Sequence, residues 1–181
     1  LQSSFKQNPI RMNTHPQILV LKNLLKLLEQ LPQGLYTKRL SVIANGTIGE
    51  HVRHIIEFYQ CCLNTASDGS LNYSLRKRDN ELETDLKKGI HKTKEIIEQL
   101  NNTLLSSDLT IVLHTASTSK ASSYQKVESS LSRELVTCMN HCIHHQFIIR
   151  AALIALHHEH ILPENFGVAF STIEYRDQCV S

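Results

Sequence analysis

From Ser129 to Leu162 the chain contains neither Gly nor Pro. Across that stretch Leu131, Leu135, Cys138, Cys142, Ile149 and Leu153 recur at helical spacing. An uninterrupted apolar stripe of this length predicts a long amphipathic helix, and a chain that must bury such a stripe has to supply other helices to cover it. The same helix carries His141 and His145. Four residues apart, they sit roughly 40° from one another around the axis and about one turn along it, so both imidazoles can reach one metal ion. His144 is about 100° from His145 and points elsewhere. Spacing alone is a weak signal. The chain has eleven histidines, and an isolated His-x-x-x-His is more often surface or structural than a metal site.

The rest of the chain supplies the covering helices. Thr14-His15-Pro16-Gln17 reads as a helix start, and Ile18, Leu21, Leu24, Leu25, Leu28 and Leu31 form its stripe, closed by Pro32 and Gly34. Leu35 to Gly46 is a connector. Thr47-Ile48-Gly49-Glu50 is a capping box for a second helix, on which His51 and His54 share a face with Ile55, Phe58 and Cys62. Residues 67–74 read as a loop. A third helix is expected from Asp79, with Leu82, Leu86, Ile90, Ile97 and Leu100 inside, ending near Asn101-Asn102. Residues 108–115 alternate and are rich in β-branched side chains. Ser117 to Ser123 is a polar turn cluster, and Tyr124 to Val127 returns, so a short β-hairpin is expected there. Ser129 or Ser130 then caps the long helix, which is expected to run to about His160.

At 181 residues, 41% apolar and 20% charged, this is the composition of an ordinary globular domain. The expected division is a flexible lead-in (1–13), a helical bundle (14–162) and a tail (163–181) that packs back on the bundle. A formal charge of +2 with dispersed basic residues argues against a nucleic-acid binder. No apolar run approaches the ~20 residues of a membrane span, and residues 1–13 lack the apolar core of a signal peptide. Five cysteines at 61, 62, 138, 142 and 179 show no disulfide rhythm and read as reduced thiols in a cytoplasmic protein. Cys138, three residues before His141, and Cys142, within the His-x-x-x-His turn, are possible soft ligands, although buried free cysteine is usually a small apolar residue.

Bundle cores are natural places for metal sites built from facing helices. One histidine from the second helix, His51 or His54, with His141 and His145 would make three neutral nitrogen ligands and leave an open position, as in catalytic rather than structural sites. Tyr73, Arg76, Arg78, Asp79 and Glu83 cluster before the third helix. They read as a rim that binds an anion or backs the metal ligands or, more commonly for such a cluster, as a solvated helix start with local ion pairs.

The run from Thr47 to Glu57 (Thr-Ile-Gly-Glu-His-Val-Arg-His-Ile-Ile-Glu), followed far downstream by His141-Cys142-Ile143-His144-His145, resembles the DinB-like superfamily of damage-inducible and thiol-linked bundle proteins. The resemblance covers Thr14 to Leu162 in element order and histidine placement. It implies an all-α fold: a four-helix bundle, here with a β-hairpin inserted before the last helix and an extended tail. It also implies a divalent metal held by one second-helix histidine and two last-helix histidines. By position these are His54, His141 and His145, with His51 the fallback for His54 and otherwise a pocket residue. Zinc or nickel suits three imidazoles, as do iron and copper. The family includes thiol-dependent transferases and isomerases. The implied chemistry is therefore thiol S-transfer or hydrolysis on a small-molecule substrate, a low-molecular-weight thiol among the candidates, and a homodimer through helix faces is compatible with it. The hairpin and the tail from Phe166 to Arg176 lie outside the family's general pattern. The competing class is a non-enzymatic stress-response or binding bundle with structural histidines. Glu57, about 60° around the helix from His54, is expected in a surface or interhelical pair.

Overall fold

Four long helices carry the apolar stripes: α1 (His15–Leu28), α3 (Ile48–Asn64), α5 (Leu86–Asn102) and α6 (Leu131–Ala155). In the computed structural model, which describes residues 13–65, 69–102, 108–116 and 124–180, α1 and α3 each pack against both α5 and α6. The described residues are mostly helical, with one small three-stranded sheet among them. The core between the helices is built from Leu21, Leu24, Leu28, Ile48, Val52, Ile55, Ile56, Leu100, Leu135, Cys142, Ile149 and Leu153, all nearly or fully buried. The expected lead-in 1–12 and the hairpin turn 117–123 lie outside the described residues.

Local signals explain where the helices begin. Both halves of the expected capping box form: Glu50 N–H donates to Thr47 Oγ1 (3.0 Å) and Thr47 N–H to Glu50 Oε2 (3.1 Å). This sets the rotational phase of α3. Ser130 caps α6 by accepting from Arg133 N–H. Thr14 does not cap α1. Its hydroxyl donates instead to Leu100 O (3.1 Å), tying α1 to the end of α5, while Asn13 Oδ1 accepts from His15 N–H.

Several boundaries differ from expectation. The first helix stops at Leu28 rather than running to Pro32. Pro32 opens a short helix, α2 (Gln33–Tyr36), because its fixed φ suits a helix start. That turn buries Leu35 and Tyr36, and the Tyr36 hydroxyl donates to Leu82 O (2.5 Å). The third helix is broken into α4 (Glu81–Thr84) and α5, with Asp85 extended between them. Asp85 Oδ1 accepts from Lys87 N–H and Lys88 N–H, capping α5. Gln33 bridges the break: its Nε2 donates to Thr84 O (2.9 Å) and its Oε1 accepts from Leu86 N–H (3.0 Å). Gly49 makes the packing possible, because a Cβ there would strike the Glu83 carbonyl and sit 2.9 Å from the Tyr36 ring.

The hairpin pairs β2 (Thr110–Ala116) with β3 (Tyr124–Ser130) antiparallel, from Thr110 opposite Ser130 to Ala116 opposite Tyr124. Its second strand is longer than expected and runs straight into the α6 cap. Residues Ser70–Leu71, expected as loop, form β1 and pair parallel with Val112 and Leu113. The free edge of β2 recruits them, since its backbone groups need partners. The last long helix ends at Ala155, short of His160, where the backbone turns left-handed at His157 (φ 58°). Downstream, Phe166 is fully buried in the core and Arg150 Nη1 donates to its carbonyl (3.2 Å). Beyond it lies α7 (Phe170–Val180). No helix among the described residues is long and apolar enough to cross a membrane.

Candidate metal centre

Helices α3 and α6 face each other, and their histidines meet. His54, His141 and His145, all half-buried, each offer a ring nitrogen within 4.8 Å of the others. His141 Nε2 and His145 Nε2 are 3.1 Å apart. Two nitrogens bound to one tetrahedral zinc at ~2.0–2.1 Å stand roughly 3.3–3.4 Å apart, so the ring positions already suit a shared ion once the proton between them has moved to the far nitrogen of its ring. His51 is not in this set: its Nδ1 lies 2.8 Å from His145 Nδ1, on the other edge of that ring. His144 is exposed, with its ring 5.4 Å from that of His145. Cys138 and Cys142 also lie outside the set. Cys138 Sγ approaches Phe58 O and the Tyr73 hydroxyl, and Cys142 is fully buried beside Gln146 Nε2.

The ring environment keeps the histidines neutral. Burial, followed by the charges of Arg76 and its neighbours, lowers His54 to about 4. Burial and the adjacent histidines lower His145 to about 3. His51 and His141 are also lowered, again mainly by burial. Neutral imidazole is the form that ligates, so the donor set suits a divalent ion. Phe58 walls one side, stacked on His141 (centroids 4.3 Å) and on Tyr73 (4.6 Å).

Arg76, one of the expected rim residues, reaches a candidate ligand directly. Its Nη2 lies 3.1 Å from His54 Nδ1. A guanidinium only donates, so Nδ1 accepts and the neutral ring carries its proton on Nε2. Ligation by His54 therefore requires either the opposite tautomer or a turned ring, and both displace Arg76 from Nδ1. The guanidinium would keep its other anchors, Glu57 Oε2 (3.2 Å) and Tyr73 O (2.9 Å).

Glu57 is not a surface residue. It is 2% exposed and binds Arg76, Arg53 (3.7 Å) and the Asp79 backbone N–H (2.9 Å), pinning the segment from Arg76 to Asp79 over α3. The expected rim divides accordingly. Arg76 and Tyr73 touch the site, whereas Asp79 pairs with Lys88 and Glu83 with Arg53, and Arg78 is exposed. Sequence reasoning missed Glu134. It is buried in the first turn of α6 and accepts from the Tyr73 hydroxyl (3.0 Å), Ser129 Oγ (2.6 Å) and Arg133 Nη1 (2.7 Å). An acidic residue in the first turn of a helix is ordinarily explained by the helix dipole, and nothing local marks this one as buried.

No family model matches the chain, and no solved structure matches it. The chain is similar to FK506-binding protein 5 of Rhizopus delemar, with 35% identity over 108 residues, a stretch that is 58% of this chain and 27% of that relative. The chain thus spans about a quarter of the relative's length.

Proposed function

We propose that this chain is a divalent-metal-binding protein of the DinB-like kind, in which His54, His141 and His145 hold one ion and leave a position open to a small molecule. The observation that carries the reading is the convergence of three half-buried ring nitrogens from two facing helices within 4.8 Å. The element order and histidine placement that resemble the superfamily support it. Zinc or nickel is the first choice of ion, iron or copper the second.

When bound, such an ion supplies Lewis acidity, which serves either hydrolysis or activation of a thiol for transfer. The chain's own residues do the rest. The three imidazoles stay neutral and poised, and Phe58 and Tyr73 exclude water from one side. Arg76, neutralised by Glu57, places a donor next to His54. FK506 binding is the property named for the Rhizopus relative as a whole, of which this chain spans about a quarter.

A second reading is a non-enzymatic bundle with structural histidines. It is favoured by the fact that His51, His145 and His141 already satisfy one another and His54 already accepts from Arg76. Elemental analysis of tag-free protein separates the two. Close to one zinc, nickel, iron or copper per chain supports the first reading, and no stoichiometric metal supports the second. With metal present, turnover of a panel of small thiols with an electrophile, or of hydrolysable esters, then tests for an enzyme.

A further inference from the structure

His51 lies outside the candidate ligand set yet makes the shortest contact in the cluster, 2.8 Å from Nδ1 to Nδ1 of His145. His145 is therefore held at both nitrogens, by His51 on one edge and by His141 on the other. A neutral imidazole has one N–H and one lone pair. Two successive contacts among three such rings allow only two consistent proton arrangements. In one, His141 donates to His145 Nε2, and His145 donates from Nδ1 to His51. In the other, His51 donates to His145 Nδ1, and His145 donates from Nε2 to His141. Only the first leaves His145 with a lone pair on Nε2, the atom that faces the shared point with His141; for both rings to ligate there, His141 must in addition carry its own proton on Nδ1.

On the reading that His54, His141 and His145 hold an ion, we infer that His51 is the positioning residue of this centre: its Nδ1 accepts the Nδ1–H of His145 and so holds that ring in its metal-ligating tautomer and orientation. Metal-bound histidines generally donate their second N–H to a partner of this kind, and removing that partner costs about 10–100-fold in metal affinity. A neutral imidazole is a weaker acceptor than the carboxylate that often fills the role. This makes the site tunable at position 51. A carboxylate there strengthens the ligand, and a side chain without an acceptor weakens it.

The test compares tag-free wild-type protein with His51→Ala, His51→Leu, His51→Asn and His51→Asp. Each is checked for helical content by circular dichroism and titrated with zinc against a chromophoric chelator. His51→Asn places Oδ1 where Nδ1 stood. The expected pattern is one zinc per chain throughout, affinity lower by about 10–100-fold in His51→Ala and His51→Leu, near wild type in His51→Asn, and above wild type in His51→Asp. Long-range proton–nitrogen spectra of the zinc-loaded protein should show the His145 proton on Nδ1. Its low-field signal should persist in His51→Asn and vanish in His51→Leu, a signature that a merely space-filling role for His51 would not move. Wild-type affinity in both His51→Ala and His51→Leu overturns the inference, as does an Asn variant as weak as Leu. Loss of stoichiometric binding in the variants lacking an acceptor overturns it too, because His51 would then be a ligand. No stoichiometric zinc in the wild type removes the metal reading itself, and this inference with it. Undiminished binding in the variants removes this inference alone.

Discussion

Arg76 Nη2 stands 3.1 Å from His54 Nδ1, so a fixed cation shares a nitrogen-rich pocket with a candidate metal ligand. Donation by Arg76 and ligation by His54 exclude each other, and the guanidinium charge repels any metal cation held beside it. Substituting Arg76→Met should raise zinc affinity about 5–10-fold, the scale of a ~1–1.4 kcal/mol repulsion in a partly solvated site. The same change should lower stability by about 2–3 kcal/mol, because the buried Glu57 loses its nearer ionic partner and keeps only Arg53 and the Asp79 backbone N–H. Chelator competition and urea melts read the two effects separately. A variant that binds zinc no better would mean that Arg76 leaves His54 without cost.

The ligand set makes a sharper prediction. His54→Ala, His141→Ala and His145→Ala should each abolish stoichiometric zinc binding, since two imidazoles are left. His144→Ala, at an exposed position, should bind as the wild type does. Equal loss in the His144 variant would overturn the helix phasing on which the site is built.

Acid should destabilise the metal-free protein through the histidines. His54 and His145 fall to about 4 and about 3 in the fold, from the ordinary 6.5 of an unfolded chain. The unfolded state therefore binds protons first. The stability these residues have above pH ~6.5 is progressively lost as pH drops through ~4 and ~3. Urea midpoints of wild type and of His54→Gln or His145→Gln should converge between pH 6.5 and 4. A difference that is constant across that window would show that the imidazoles titrate normally.

Gly49→Ala should cost about 2–3 kcal/mol by overpacking, because the new methyl meets the Glu83 carbonyl and the Tyr36 ring rather than a flexible side-chain tip. The substitution lies two residues before His51, so weakened zinc binding should accompany the loss. Thermal melts with and without zinc measure both. Gly34→Ala, where no atom lies within 4 Å of the new Cβ, serves as the tolerated control.

Much of the helical frame was legible locally. The Thr47–Glu50 capping box forms, the Ser130 cap forms, and the apolar stripes of α1, α3, α5 and α6 face the core. The break at Asp85 was not legible. Leu82 and Leu86 continue a helical stripe, and the interruption depends on Gln33, more than fifty residues away, supplying the bonds the backbone gives up. β1 was invisible for a similar reason: two residues become a strand only because a strand edge elsewhere needs partners.

By itself the sequence determined that His141 and His145 share one helix face and that His144 does not, because 3.6 residues per turn is a local property of the backbone. It equally placed His51 and His54 on one face of α3 and left open which of them meets the pair. Only the tertiary structure decided that. The rotation and offset of α3 against α6 bring His54 into the nitrogen cluster and set His51 behind His145, a contact between residues 94 apart in the chain. The same packing buried Glu57 and drew Arg76 onto His54. Helix phase follows from neighbours in sequence. The approach of one helix to another follows from the shape of the whole core, and that is where the character of this site was settled.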